Sequence, residues 1–249
     1  MAAFLKVVGL GPGDASLLTP QAQKAIADAE TIVGYTLYVD LVPEELKQGK
    51  TIISTGMMGE MARCEKAIES ARNGSNTVVV CSGDPGIYAM SGLIYELAEE
   101  YLDEIEIEVV AGIPALSAAS ALLGAPLMHD FAVISLSDLL TEWEVIEKRL
   151  KAAAEADFVI VLYNPKSKRR DWQIGKALEI VSGVRSGDTP VGLVKSAYRT
   201  EQERLVYSLN SFDIEQVDML STIIIGNSTT RMIGGNIVTP RGYLKKYRQ

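Results

Sequence analysis

Three glycine-rich segments stand where short apolar runs end, and each would bring a ligand against the peptide backbone. The first is Gly9-Leu10-Gly11-Pro12-Gly13-Asp14. Glycine reaches positive φ without a Cβ clash and lets a ligand approach the main chain, so the segment reads either as a ligand loop or as a plain turn. A dinucleotide loop would space its glycines G-x-G-x-x-G and start a helix at once. Here Asp14 occupies the third glycine position and the next helix start waits until Thr19. A phosphate loop needs G-x-x-x-x-G-K-[ST], which the sequence lacks. The second segment is Ser82-Gly83-Asp84-Pro85-Gly86-Ile87-Tyr88. A carboxylate between glycines can accept hydrogen bonds from an ammonium or a ribose, while flanking amides hold a carboxylate. An amino-acid-bearing nucleoside meets both demands. The third combines Gly112-Ile113-Pro114-Ala115-Leu116-Ser117-Ala118 with Leu162-Tyr163-Asn164-Pro165 and Ile225-Gly226-Asn227-Ser228. Small residues there would let backbones close around a flat ring system, although Ser117 also suits an ordinary helix and Asn164-Pro165 an ordinary turn.

The elements that must position these segments follow from periodicity. Phe4 to Val8, Thr31 to Val33, Thr51 to Ser54, Thr77 to Cys81 and Ile105 to Val110 are short apolar runs of β type, predicted as strands. Helices are predicted between them: Pro20 to Ala29 behind a Thr19 cap, Met61 to Asn73, and Ser91 to Glu100. This alternation predicts an α/β fold with a largely parallel sheet covered on both faces. The pattern pauses at Gly112-Ile113-Pro114 before a small-residue helix, Ala115 to Leu123, which divides the chain into domains 1–113 and 114–249. The second half repeats the alternation with strands at Ala132 to Leu136, Phe158 to Tyr163, Val191 to Lys195 and Ser221 to Ile225, and helices at Trp143 to Glu155 and Asp171 to Val181. A hairpin around Tyr198 to Leu209 makes this second sheet mixed. Ligands of open α/β sheets collect at the carboxyl ends of strands, where the glycine segments lie.

Composition narrows the partners. With 24 basic and 32 acidic residues the net charge is −8, which disfavours nucleic acid, whose binding rests on phosphate neutralisation. A small-molecule partner is favoured. No run approaches the roughly 20 apolar residues of a membrane span, and the first eight residues lack the parts of a signal peptide, so a soluble cytoplasmic protein is expected. Cys64 and Cys81 have no C-x-x-C spacing and read as structural thiols in a reducing compartment. No protein-held metal is expected.

Taken together, GLGPGD at 9–14, SGDPGIY at 82–88, GIPALSAA at 112–119 and TPVG at 189–192 resemble the tetrapyrrole methylase family, in order and over the whole chain. The stretches at 129–150, 156–170, 217–228 and 239–243 resemble its members that methylate carbon 17 of precorrin-3B or cobalt-factor III. One departure is Glu142, where the resemblance leads us to expect proline. The resemblance implies two α/β domains with S-adenosyl-L-methionine (SAM) in the cleft between them, in a homodimer. By position, Asp84 and Ile87 would meet its methionine and ribose portion, with Ser117 and Ala118 beside it, and Leu10, Ser82 and Gly83 would also bind the cofactor. Tyr163, Ala197, Thr222 and Ile223 would border the adenine, partly through backbone atoms. Gly11, Pro12, Gly13 and Asp14 would face the tetrapyrrole.

Ring contraction moves protons and can use a general acid or base. His129, the sole histidine, titrates near neutral pH and sits beside Asp130, so the pair is the candidate for that role; the other reading is a hydrogen bond within the interdomain turn. Ser135, Ser137 and Asp138 would line the substrate side, although a helix cap explains Asp138 equally well. A polycarboxylate substrate calls for a basic rim, which Lys166, Lys168, Arg169, Arg170 and Arg241 would supply unless they form a solvated loop. Three alternatives stay open: a nucleotide-dependent oxidoreductase, a tetrapyrrole carrier without turnover, and methylation of another ring carbon.

Overall fold

The computed structural model describes residues 3–168 and 170–248. The chain divides into two compact units, Met1–Ala115 and Leu116–Gln249. In the first, β1 (Phe4–Gly9), β2 (Thr31–Tyr35), β3 (Thr51–Thr55), β4 (Thr77–Cys81) and β5 (Glu106–Val110) form a wholly parallel sheet in the order β3-β2-β4-β1-β5. Helices α1 (Pro20–Asp28), α2 (Thr36–Val39), α3 (Glu44–Lys47), α4 (Glu60–Arg72) and α5 (Ser91–Leu97) fill the crossovers. The central strand β4 is buried along its whole length, as it must be when helices cover both faces. Its alternate residues enter different cores. Val78 and Val80 pack with Ala22, Ala25 and Ile26 of α1, whereas Val79 and Cys81 pack with Cys64, Ala67 and Ile68 of α4 and Ile94 of α5. Burial pushes the Cys64 thiol up to about 12 and the Cys81 thiol up to about 11, so both stay protonated and inert, as structural thiols do.

This topology creates one special place. From β1 the chain passes through α1 to β2, on one side in the strand order; from β4 it passes through α5 to β5, on the other. The two helices lie on opposite faces, so the carboxyl ends of neighbouring β1 and β4 form a topological switch point, where open α/β sheets bind ligands. The helix start that leads away from β1 is set locally, with Thr19 Oγ1 accepting from Ala22 N at 3.1 Å and Pro20 in the first turn.

Helix α6 (Ala115–Leu123) carries the chain into the second unit, followed by β6 (Gly124–Ala125), β7 (Phe131–Ser135), α7 (Trp143–Glu155), β8 (Val159–Tyr163), α8 (Gln173–Ser182), β9 (Pro190–Lys195), β10 (Glu203–Ser208) and β11 (Ser221–Ile225). The main sheet runs β10-β9-β11-β8-β7. Only β7 and β8 pair in parallel; β11 is antiparallel to β8 and β9, and β10 to β9, with Lys195 opposite Glu203. The carboxyl ends of β7, β8 and β9 therefore share one edge with the amino ends of β10 and β11. Ile146, Leu150, Ile174 and Val181 of α7 and α8 cover one face, and Ala119 and Leu123 of α6 cover the other. A small sheet that periodicity does not reveal joins β6 to β12 (Arg231–Ile233) and β13 (Asn236–Val238), before a last helix, α9 (Tyr243–Tyr247).

Glu142, the departure noted above, is the residue before the first turn of α7, at φ −55° with no side-chain cap. Proline prefers about −65 ± 15°, so the position already has a proline's backbone. Glu142→Pro should stabilise the protein by about 0.4–1 kcal/mol through the unfolded chain's lost freedom, read as a higher urea midpoint.

Candidate active site

At the switch point of the first unit the loops themselves fill the crevice. Leu10 N donates to Cys81 O at 2.8 Å, Gly11 N to Gly83 O at 3.1 Å, and Gly83 N back to Gly11 O at 2.7 Å. The first two glycine loops thus form an antiparallel bridge across the strand ends. Gly112, just past β5, closes over them. A Cβ there would lie 2.1 Å from Gly83 O and 2.8 Å from Gly9 Cα, and one on Gly9 would lie 2.6 Å from Gly112 N and Gly83 O. Contact distance demands glycine at 9 and 112, whereas Gly11 and Gly83 are needed for φ near +70°. A dinucleotide's pyrophosphate would sit where this bridge runs, which removes the oxidoreductase alternative on steric grounds.

The same cluster sets Asp84. Its Oδ1 accepts from Gly86 N at 2.8 Å and its Oδ2 from Gly112 N at 3.1 Å, so the carboxylate organises two loops before it meets any ligand. Ser91 Oγ donates to Pro85 O at 2.7 Å and anchors the loop's far end. Tyr88 takes φ +52°, a conformation uncommon for residues other than glycine. Ser82 and Ile87 are half-buried and Gly83 is buried. The Leu10 side chain lies in the core beside Leu18 and Ile26, and its amide donates to Cys81 O. Gly11 and Pro12 are buried, Gly13 is half-buried and Asp14 is exposed. Hydrogen bonds from the Ser16 hydroxyl and amide hold the Asp14 carboxyl below its usual range.

In the second unit the carboxyl-end edge gathers Ser135, Tyr163, Asn164, Ala197 and Thr222. Tyr163 Oη accepts from Leu116 N at 2.8 Å and fixes the first turn of α6, where Ser117 is exposed and Ala118 buried. Asn164, Ser196 and Tyr198 all have left-handed backbones, at φ +50°, +47° and +56°, so Ala197 stands between two strained residues. Thr222 and Ile223 are buried, which leaves mainly their backbone for contact. Asn164 Nδ2 donates to Ser135 Oγ at 3.0 Å, and Gln173 Nε2 holds Asp138 at 2.8 Å. Of the expected basic rim, Arg170 donates to Asn164 O, Lys166 pairs with Glu215 at 3.6 Å, and Lys168 and Arg241 are exposed. Arg169 lies outside the described residues.

His129 and Asp130 are not brought to this edge. They precede β7, at its amino end, where Asp130 O accepts from Val159 N and Asp130 N donates to His129 Nδ1 at 2.9 Å. A five-residue strand spans about 13 Å, which separates the pair from Tyr163, Ala197 and Thr222. The geometry places His129 in the turn at the amino end of β7. On the same amino-end side of the sheet as His129, buried Arg185 donates to Gly226 O at 2.6 Å and Phe158 O at 2.7 Å and meets Asp157 at 3.4 Å. Burial works to raise the Asp157 pKa, but Ser228's hydrogen bonds and the Arg185 charge outweigh it and hold it low.

Two α/β units, glycine loops crossing at a filled switch point, and strained residues at the second unit's strand ends define a class of α/β enzyme distinct from the dinucleotide-binding folds. The chain belongs to the tetrapyrrole (corrin/porphyrin) methylases, whose family model matches residues 5–213. It is 48% identical over 240 residues to the probable cobalt-factor III C(17)-methyltransferase of Salmonella typhimurium, covering 96% of this chain and 99% of that one. It is 38% identical over 251 residues to the precorrin-3B C(17)-methyltransferase of a Sinorhizobium species, covering 98% of each. The crystal structure of the methyltransferase CobJ superposes with a TM-score of 0.91 at 38% identity, over 96% of this chain and 100% of that one.

The glycine cluster makes a graded prediction. Gly112→Ala forces a Cβ to 2.1 Å from a carbonyl oxygen and should cost at least about 3 kcal/mol, as severe overpacking does. A Cβ at Gly83 meets nothing closer than 3.7 Å, so Gly83→Ala should cost only the left-handed strain of about 1–2 kcal/mol. Urea denaturation of the two variants would order them.

Proposed function

We propose that this chain is a SAM-dependent methyltransferase that methylates carbon 17 of cobalt-factor III or precorrin-3B and contracts the macrocycle, in cobalamin biosynthesis. The observation that carries this reading is the near full-length similarity to two relatives named for that reaction, at 48% and 38% identity. The higher figure belongs to the cobalt-factor III enzyme and favours the cobalt-bound substrate.

The donor set fits the methyl donor. Asp84 suits its amino-acid and ribose portion, with Ser82, Gly83 and Ile87 around it, and Ser117 and Ala118 are assigned to the same donor. Tyr163, Ala197, Thr222 and Ile223 suit the adenine. When bound, SAM supplies an electrophilic sulfonium methyl, so no side chain need act as a nucleophile. The chain's task is to orient donor and acceptor and keep water out. Gly11, Pro12, Gly13, Asp14 and Arg169 are assigned to the tetrapyrrole side. We assign the protein to the cytoplasm as a homodimer without a nucleic-acid partner; among the described residues no helix is long and apolar enough to cross a membrane.

Anaerobic incubation with methyl-labelled SAM and either cobalt-factor III or precorrin-3B tests the reading. Label at carbon 17 of a contracted ring by NMR is expected; label on another carbon, or SAM binding without transfer, would overturn it. Asp84→Ala removes two charge-assisted hydrogen bonds, each worth about 1.5–3 kcal/mol, and should weaken SAM binding roughly tenfold or more by calorimetry. His129→Ala should leave the rate of methyl transfer and the product unchanged, and a loss of ring contraction would return His129 to the chemistry.

A further inference from the structure

Helix α4 buries an arginine that has no anionic partner. Arg63 is only 4% exposed, yet no ion pair reaches it among the described residues, unlike Arg72 with Glu104 and Arg185 with Asp157. Its Nε donates to Thr55 Oγ1 at 2.9 Å, Nη2 to Gly56 O at 3.2 Å, and Nη1 to Met90 Sδ at 3.7 Å; its plane stands 5.8 Å from the Tyr35 ring. A guanidinium has five N–H donors. Two here have no acceptor among the described residues, and a third has only a thioether. Burying a cation among neutral groups is costly unless an anion completes it.

The location is equally specific. Tyr35 and Thr55 end β2 and β3, and Met90 closes the loop that holds Asp84, so the guanidinium lies at the carboxyl-end edge of the first unit's sheet, where ligands collect. Around it the surface is apolar: Leu37, Met57 and Met58 are 50%, 58% and 78% exposed, and Met58 holds a left-handed φ of +65°. Flexible methionines adapt to large flat ligands, and a planar guanidinium with unused donors matches a carboxylate.

We propose that Arg63 is a recognition residue for a carboxylate of the tetrapyrrole, with Met57 and Met58 against the macrocycle and the Met90 thioether as the placeholder the carboxylate displaces. This rests on the tetrapyrrole reading above, but not on the carbon that is methylated.

The test uses the full chain and uroporphyrin III, a tetrapyrrole ringed by carboxylates, with affinity read from porphyrin fluorescence. SAM affinity by calorimetry and the thermal midpoint are measured on the same samples. Arg63→Gln should weaken uroporphyrin binding roughly 10- to 100-fold, the worth of a charge-assisted pair, with SAM affinity within about twofold, and Arg63→Lys should recover part of the loss. Met90→Glu places a carboxylate on the guanidinium from within; it should raise the midpoint and weaken uroporphyrin to a similar degree, which keeps the test decisive even if Arg63→Gln does not fold. Unchanged uroporphyrin affinity in Met90→Glu, parallel loss of SAM affinity in Arg63→Gln, or no binding by the parent chain would each overturn the proposal and leave Arg63 a clamp on Thr55 and Gly56. Dependence on Arg63 without label at carbon 17 would keep the recognition site and refute the assigned reaction alone.

Discussion

Backbone packed directly against backbone, where β1, β4 and β5 end, is the constraint from which the rest of the first unit follows. Gly9, Gly83 and Gly112 lie closer together than any side chain allows, and that closeness lets the β1 and β4 loops exchange hydrogen bonds instead of diverging. A switch point left open would be a trough for phosphates; filled in this way it becomes a rigid floor. The Asp84 carboxylate is clamped by an amide from its own loop and another from beyond β5. Such preorganisation removes the ordering cost a mobile loop would face on meeting a ligand.

Much of this was legible from the chain. Strand and helix alternation gave the α/β class and the mixed second sheet, because fully buried strands such as Thr77 to Cys81 leave an unbroken apolar run. The glycine loops were legible because glycines clustered just past apolar runs mark places where the backbone turns sharply or is approached closely. The small sheet of β6, β12 and β13 was not, since strands of two or three residues leave no period to read. His129 shows a different gap: proximity along the chain does not say at which end of a strand a loop lies, and strand direction decides that. Leu10 shows a third, since a residue inside a ligand loop can still turn its side chain into the core. Arg63 carried a faint signal, standing four and eight residues before Ala67 and Ala71 on the buried stripe of α4, a place where an arginine is out of character.

The two arginines buried among the described residues divide labour between stability and recognition. Arg185 spends its donors on Gly226 and Phe158 carbonyls and keeps Asp157 as counter-charge, so it binds separate stretches of the second unit into one body. Arg63 has neutral neighbours and spare donors. In a chain of net charge −8, a polyanionic substrate gains little from the overall field, and attraction must come from local, desolvated cations. A guanidinium sheltered from water does this better than a row of surface lysines.

The position of β1 also governs the order in which the polypeptide can acquire structure as it is made. It is made before β4 and β5, its neighbours in the sheet, which end at Cys81 and Val110. Until those residues leave the ribosome, an apolar strand waits with both edges unsatisfied, the condition in which nascent chains aggregate or engage chaperones. The parallel sheet that gives the loops their rigid floor thus makes newly made β1 dependent on sequence still inside the exit tunnel.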